Sequence, residues 1–206
     1  MDRAHLVRAF ALPFPGKTSR DRLEVEKQFR RMQDAPRHPY LEVERGLSPA
    51  LLGLPRFAGR VRIDGMGNAV FPHFDQAGLC GYEIENRNFT GFLRGGEKGL
   101  RFSRTDAGDN RLVLAESAID ALSYAQVFPH AGARYASIGG QMNPCQPELI
   151  KAAVVKMPEG SGIVAAMDAD EGGLKLVEVV HLAVLETGRS DLCLPPRHSR
   201  RITHLC

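Results

Sequence analysis

The chain has 206 residues, 43% of them hydrophobic and 25% charged, with a formal net charge of +3 at pH 7, the composition of a soluble globular protein with enough length for one large domain or two small ones. No apolar run approaches the ~20 residues that span a bilayer, and the opening Met1-Asp-Arg-Ala-His-Leu-Val-Arg lacks a signal peptide's apolar core, so a cytoplasmic protein with no membrane partner is expected. Cys80, Cys145, Cys193 and Cys206 are scattered, with no Cys-x-x-Cys pair and no histidine at ligand spacing, which argues against a structural zinc site.

Residues 18–35 carry a charged, amphipathic helical pattern whose apolar stripe, Leu23, Val25, Phe29 and Met32, is only partial; a loosely docked helix ending at Pro36 and Pro39 is predicted. Just ahead of it, Pro15-Gly16-Lys17-Thr18 mimics the end of a phosphate-binding loop, but Ala11 stands where that motif needs glycine. A short helix near Ser48-Pro-Ala-Leu-Leu leads into strands at Val61–Ile63, Ala69–Pro72 and Gly81–Glu85, separated by turns at Asp64–Asn68 and Asp75–Gly78. Residues 90–104 read as a glycine-rich basic loop. Within it Arg94, Lys98, Arg101 and Arg104, interleaved with Phe92 and Phe102, combine charge with stacking surface and are the candidate nucleic-acid contacts. A solvated surface loop is the plainer reading of the same residues.

From Arg111 the pattern alternates. Strands are predicted at Leu112–Ala115, Arg134–Ile138, Ile163–Met167 and Asp191–Leu194, and helices near Ala118–Phe128, Pro147–Lys156 and Leu174–Glu186. Such alternation predicts an α/β fold with a mostly parallel sheet and right-handed crossovers, preceded by a smaller β-rich α+β module. The expected organisation is a charged helical segment over 1–37, the β-rich module over 38–108 and the α/β domain over 109–206.

Two of these strands stop at carboxylates. Residues 111–115 run into Glu116, with Asp120 one helical turn on, and residues 162–167 run into Asp168-Ala-Asp170, followed by Gly172 and Gly173. Strand C-termini of an open α/β sheet form the crevice where such folds place ligands. Acids two positions apart on an extended segment point the same way and suit a divalent ion. Asp168 and Asp170 are therefore candidate ligands for Mg²⁺ (or Mn²⁺), the chemistry that neutralises phosphate oxygens in phosphoryl and nucleotidyl transfer. The competing readings are structural: Asp168 or Asp170 as a helix cap, Glu116 as an acid favoured by a helix dipole, and Asp120 as an ordinary first-turn acid. Gly172 and Gly173 read either as a place of close backbone approach or as a loose helix start. Gly139-Gly-Gln-Met-Asn143 follows the second strand on the same sheet edge.

Glu116 after one strand and Asp168-Ala-Asp170 after another is similar to the Toprim domain, shared by bacterial primases, type IA and type II topoisomerases and some nucleases. Glu116-Ser-Ala-Ile-Asp120-Ala-Leu-Ser looks most like the primase branch. Upstream, His38-Pro-Tyr-Leu-Glu-Val-Glu-Arg-Gly-Leu-Ser and Asn68-Ala-Val-Phe-Pro-His-Phe-Asp-Gln-Ala-Gly resemble a DUF3991-type module that often precedes Toprim in plasmid and mobile-element proteins. The resemblance implies a Toprim-like Rossmannoid sheet, Glu116 as a further metal ligand or general acid/base, and Asp120 as a second acid facing the cleft. It implies Mg²⁺-dependent phosphotransfer on nucleic acid, foremost a primase-like nucleotidyltransferase using single-stranded DNA and nucleoside triphosphates. The alternatives are a Toprim endonuclease and a catalytically weak single-strand-binding accessory module for a relaxase or helicase. Many such primases carry a zinc-binding module ahead of the catalytic part, and without one, template recognition of that kind needs a zinc-module partner. Relatives usually continue past Leu-Pro-Pro into an acidic segment; here Leu194-Pro-Pro-Arg197 runs into a basic tail, which removes an expected acidic contribution.

Overall fold

The computed structural model describes residues 19–189 and 192–193. The phosphate-loop mimic at Pro15–Thr18 and the basic tail from Leu194 lie outside the described residues.

The first helix, α1 (Ser19–Arg30), buries Val25 and Phe29, four residues apart on one face, and turns Leu23 outward at 66% exposure. It is firmly attached, contrary to the sequence expectation. Arg22 donates two hydrogen bonds to the Asp75 carboxylate, at 3.0 and 2.6 Å, and Tyr82 donates to Gln28 Oε1 at 3.1 Å. The helix stops at Arg30 rather than near Pro36, and Arg62 Nη1 donates to the Phe29 and Met32 carbonyls just at and beyond its end. Gln33–Asp34 (β1) is then already extended and pairs antiparallel with Arg62–Ile63 (β2).

Ala69–Asp75 (β3), Gly78–Asn86 (β4) and Phe89–Phe92 (β5) complete an antiparallel sheet of order β1-β2-β3-β4-β5. Between β1 and β2 come a single π-helical turn, Tyr40–Glu44, and the short α2 (Pro49–Leu52), capped by Ser48 Oγ accepting from Leu51 N at 3.2 Å. The expected basic loop at 90–104 is ordered differently: it holds the end of β5, a turn, and a further strand, Arg101–Phe102 (β6), that belongs to the second sheet.

The second sheet adds Arg111–Ala115 (β7), Ala133–Ser137 (β8), Gly162–Ala166 (β9) and Leu192–Cys193 (β10), in the order β10-β9-β7-β8-β6. β10, β9, β7 and β8 run parallel; β6 pairs antiparallel along the outside of β8. The predicted helices appear as α3 (Ala118–Val127), α4 (Gln146–Val155) and α5 (Glu171–Leu185). The architecture is thus α/β with a mostly parallel, Toprim-like sheet behind an antiparallel module. Central β7 is covered on both faces, so its residues are apolar without alternation. Val113 and Ala115 face α3 together with Leu41, Leu47, Phe57 and Phe71 of the first module. Leu112 and Leu114 face Ile150 and Val154 of α4 and Val180 and Val184 of α5. One core therefore runs through both sheets, and it fixes the first module over the N-terminal end of α3.

Candidate active site

Glu116 is the first residue past β7. Its carbonyl accepts from Gly139 N and Gly140 N, at 2.8 and 2.9 Å, which ties the ends of β7 and β8 together. Both glycines adopt the left-handed conformation this turn requires, with φ of 77° and 78°. The Glu116 side chain reaches the other way, accepting the backbone N–H of Asp168 at 3.0 Å. The acids ending the adjacent parallel strands β7 and β9 are thereby brought side by side.

Asp120 and Asp170 also arrive there, each with structural work. Ser117 caps α3 in a reciprocal capping box: Asp120 N donates to Ser117 Oγ at 3.2 Å, while Ser117 N and Oγ donate to Asp120 Oδ2 at 3.2 and 2.7 Å. Asp170 caps α5, accepting from Gly173 N at 2.8 Å through Oδ1. Gly173 is a site of close approach, since a Cβ there would collide with the Asp168 carbonyl.

The four acids feel one another. Burial and the charges of Asp168, Asp120 and Asp170 raise the Glu116 carboxyl above its ordinary value, opposed by the Asp168 N–H. Asp120 is raised in the same sense, first by burial and then by Asp168, against its bonds to Ser117. Like charges crowded on hard oxygen donors favour a divalent cation. Among the described residues no three His, Cys, Asp or Glu side chains gather into a metal-holding group. The arrangement fits Mg²⁺ in the manner usual for that ion, one or two carboxylates with water and substrate phosphate completing the shell. Glu116 and Asp168, at the ends of adjacent strands, are the residues that could hold such an ion, with one Asp170 oxygen committed to its helix.

Opposite the start of α3 lie residues that sequence reasoning missed. Glu83 of β4 pairs with His73 Nε2 at 2.5 Å through Oε1, and its Oε2 accepts from Ala118 N at 3.4 Å. His73 Nδ1 donates to the Gly99 carbonyl at 2.9 Å. Glu85, two residues along the same strand face, is buried, and its carboxyl is pushed up to about 7, first by burial and then by Glu83 and Asp120. With Phe92, Lys98, Ser117 and Gly139 these glutamates line a cavity of about 230 Å³. Glu83-Ile-Glu85 has the spacing of Asp168-Ala-Asp170, two acids on one face of a strand, but its sequence alone does not show that the face is covered.

The four basic candidates do not form one surface. Lys98 belongs to this cavity, donating to the carbonyls of Gly139 at 2.7 Å and Gln141 at 3.3 Å. Arg94 is exposed on the turn after β5, and Arg104 is exposed beyond β6. Arg101 corrects the sequence reading: it is 0% exposed, its guanidinium 5.6 Å from the Phe57 ring and 5.9 Å from the Phe71 ring, and so out of reach of any nucleic acid.

Residues 39–110 match the family described as a protein of unknown function, DUF3991, and residues 113–198 match the family described as Toprim-like. The chain is a DUF3991–Toprim protein. Its fold is similar to that of the primase fragment of the bacteriophage T7 primase-helicase protein, with a TM-score of 0.55 at 18% identity, covering 77% of this chain and 64% of that one. This Toprim protein thus spans just under two thirds of the phage fragment. A DNA primase domain from Pseudomonas aeruginosa aligns with a TM-score of 0.45 at 15% identity, over 71% of this chain and 51% of that one. No curated protein matches the Toprim chain by sequence. In the Toprim domain the carboxylates stand at the C-terminal edge of the sheet, and the DUF3991 module supplies Glu83, Glu85 and Lys98 of the adjoining cavity.

Proposed function

We propose that this protein is a Mg²⁺-dependent, primase-like nucleotidyltransferase acting on single-stranded nucleic acid with nucleoside triphosphates. One observation carries the reading: the Asp168 backbone N–H donates to the Glu116 carboxylate at 3.0 Å between adjacent parallel strands, beside Asp120 and Asp170, and burial together with the neighbouring carboxylates raises the Glu116 and Asp120 carboxyls. Similarity to a phage primase fragment supports it at the level of fold.

Mg²⁺ held by Glu116 and Asp168 would neutralise charge on phosphate oxygens. The chain's own residues set up the rest. The 3.0 Å bond from Asp168 N orients the Glu116 carboxylate, and the capping box holds Asp120 turned toward its own helix start. Lys98 and the Gly139–Gly140 turn line the adjoining cavity, where they would contact an incoming phosphate chain.

The test is a gel assay with purified protein, labelled single-stranded DNA, nucleoside triphosphates and Mg²⁺ or Mn²⁺, beside Asp168→Asn and Glu116→Gln. New or extended product that both substitutions abolish is the expected result. Shortened product would move the assignment to a nuclease. Unchanged DNA in every lane, with single-strand binding that survives Asp168→Asn, would make the protein an accessory binding module.

A further inference from the structure

At the junction of the two sheets, on the open side of β6, lies a second cavity of about 210 Å³. It shares no lining residue with the carboxylate site or its adjoining cavity. One wall is apolar and made by the second sheet and α4: Phe102, Leu149, Ala152 and Ala153. The other is built from the first module, with Phe74 and Arg60.

The charge of this cavity is unbalanced. Arg60, Arg134 and Lys156 line it, and Asp75 is its only lining acid. Asp75 is engaged by Arg22 through two hydrogen bonds. Arg134 is engaged by Asp109 at 3.0 Å, and Asp109 also holds Arg56 at 2.8 Å. The Arg60 and Lys156 side chains have no carboxylate or hydrogen-bond partner among the described residues. Arg60 lies partly buried with its guanidinium 4.5 Å from the Phe74 ring centroid. Burial, then the neighbouring charge of Arg104, lowers its affinity for a proton, so a bound anion there would be favoured. Gln76 and Thr105 add neutral hydrogen-bonding groups at the rim.

A half-buried guanidinium lying against an aromatic ring, a second unpaired cation and a flat apolar wall form the pattern that takes an anion carrying a planar ring. At about 210 Å³ the space suits a single unit. From this we infer that the β6–α4 cavity is a nucleotide site separate from the carboxylates, taking one phosphorylated nucleoside with its phosphate on Arg60 and Lys156 and its base on Phe102 and Ala152. The unit is either a free nucleotide or one link of a single strand. The site stands on its own residues, whether or not the carboxylates catalyse transfer.

The test measures binding to the full chain in EDTA, by calorimetry, of AMP, inorganic phosphate and a short oligo(dT). The proteins compared are wild type, Arg60→Gln, Lys156→Glu and Asp168→Asn. AMP is expected to bind wild type and Asp168→Asn alike and to lose at least tenfold in affinity in both Arg60→Gln and Lys156→Glu. Lys156 is exposed, so its substitution reports on the site even where Arg60→Gln disturbs packing. Oligo(dT) binding tenfold tighter than AMP, and lost in the same two variants, assigns the strand as source; equal or weaker binding assigns the free nucleotide. Equal affinity for inorganic phosphate overturns the base-binding half of the proposal. Affinity unchanged in both cavity variants, or lost in Asp168→Asn alone, overturns the site.

Discussion

Asp168 gives its backbone N–H to the Glu116 carboxylate at 3.0 Å, so the acid that ends β7 is oriented by the main chain that ends β9. Glu116→Gln keeps an acceptor for that N–H while removing one of four mutually repelling charges. Without metal its melting temperature should equal or slightly exceed that of wild type. Wild type should gain stability with Mg²⁺, by about 2.7 kcal/mol at a hundredfold excess over Kd, and the variant should gain far less. Thermal melts with and without Mg²⁺ decide it; an equal Mg²⁺ response in the two proteins would place the ion elsewhere.

Glu85 predicts a pH dependence. Its folded value of about 7 lies above that of an exposed glutamate, so between about pH 4.3 and 7 the folded state keeps a proton that the unfolded chain has released. Stability contributed there falls as pH rises through that window and levels off above it. Glu85→Gln should remove this residue's share of the slope, leaving the variant more stable than wild type by roughly 2–3 kcal/mol at pH 8, with the gap closing toward pH 5. Urea unfolding at several pH values measures it, and parallel curves for the two proteins would contradict it.

Gly173 is the third residue of α5, where alanine ordinarily helps a helix by about 1 kcal/mol relative to glycine. Here the sign reverses, because the added Cβ would collide with the Asp168 carbonyl. Gly173→Ala should destabilise by about 1–3 kcal/mol and weaken the Mg²⁺ response by displacing Asp168. Gly172→Ala is the control, since its Cβ would meet only Asp170 Oδ1 at 3.3 Å.

Arg101 is wholly buried, and none of its guanidinium nitrogens has a hydrogen-bond partner among the described residues. Burial pulls its pKa down to about 10. The faces of Phe57 and Phe71 return part of the lost hydration. Arg101→Met, similar in length and without charge, should stabilise the protein by about 1–3 kcal/mol, read as a higher urea midpoint with an unchanged slope. A large loss of stability would show that the cation has a role in holding Glu83, whose charge acts on it.

The α/β half was legible because its signals are local. Continuous apolar runs of strand length, each followed by a helical period, gave β7, β8 and β9 to within a residue or two, and the acids after β7 and β9 fell at strand ends. The misreadings share a different cause. In Leu100-Arg101-Phe102-Ser103 the alternation is that of a strand with one polar face, and nothing nearby in sequence says that Phe57 and Phe71 cover that face. Glu83 and Glu85 look like solvent-facing strand residues until α3 is packed over them. The extension right after Arg30 is non-local in the same way, since Gln33–Asp34 pairs with Arg62–Ile63 some thirty residues on.

The segment that carries β6 has a consequence for how this protein can be divided. Leu100 exchanges both backbone hydrogen bonds with Phe74, at 2.8 and 2.9 Å, while its neighbours Arg101 and Phe102 pair with Ser137 and Ala136. A few residues thus finish two sheets at once. A fragment starting at residue 109 would leave β8 as a bare edge, open to pairing with other chains. A fragment ending at 108 would carry an orphan strand. Dissection or grafting of the C-terminal half should therefore begin ahead of Gly99, where the cut leaves β8 its partner.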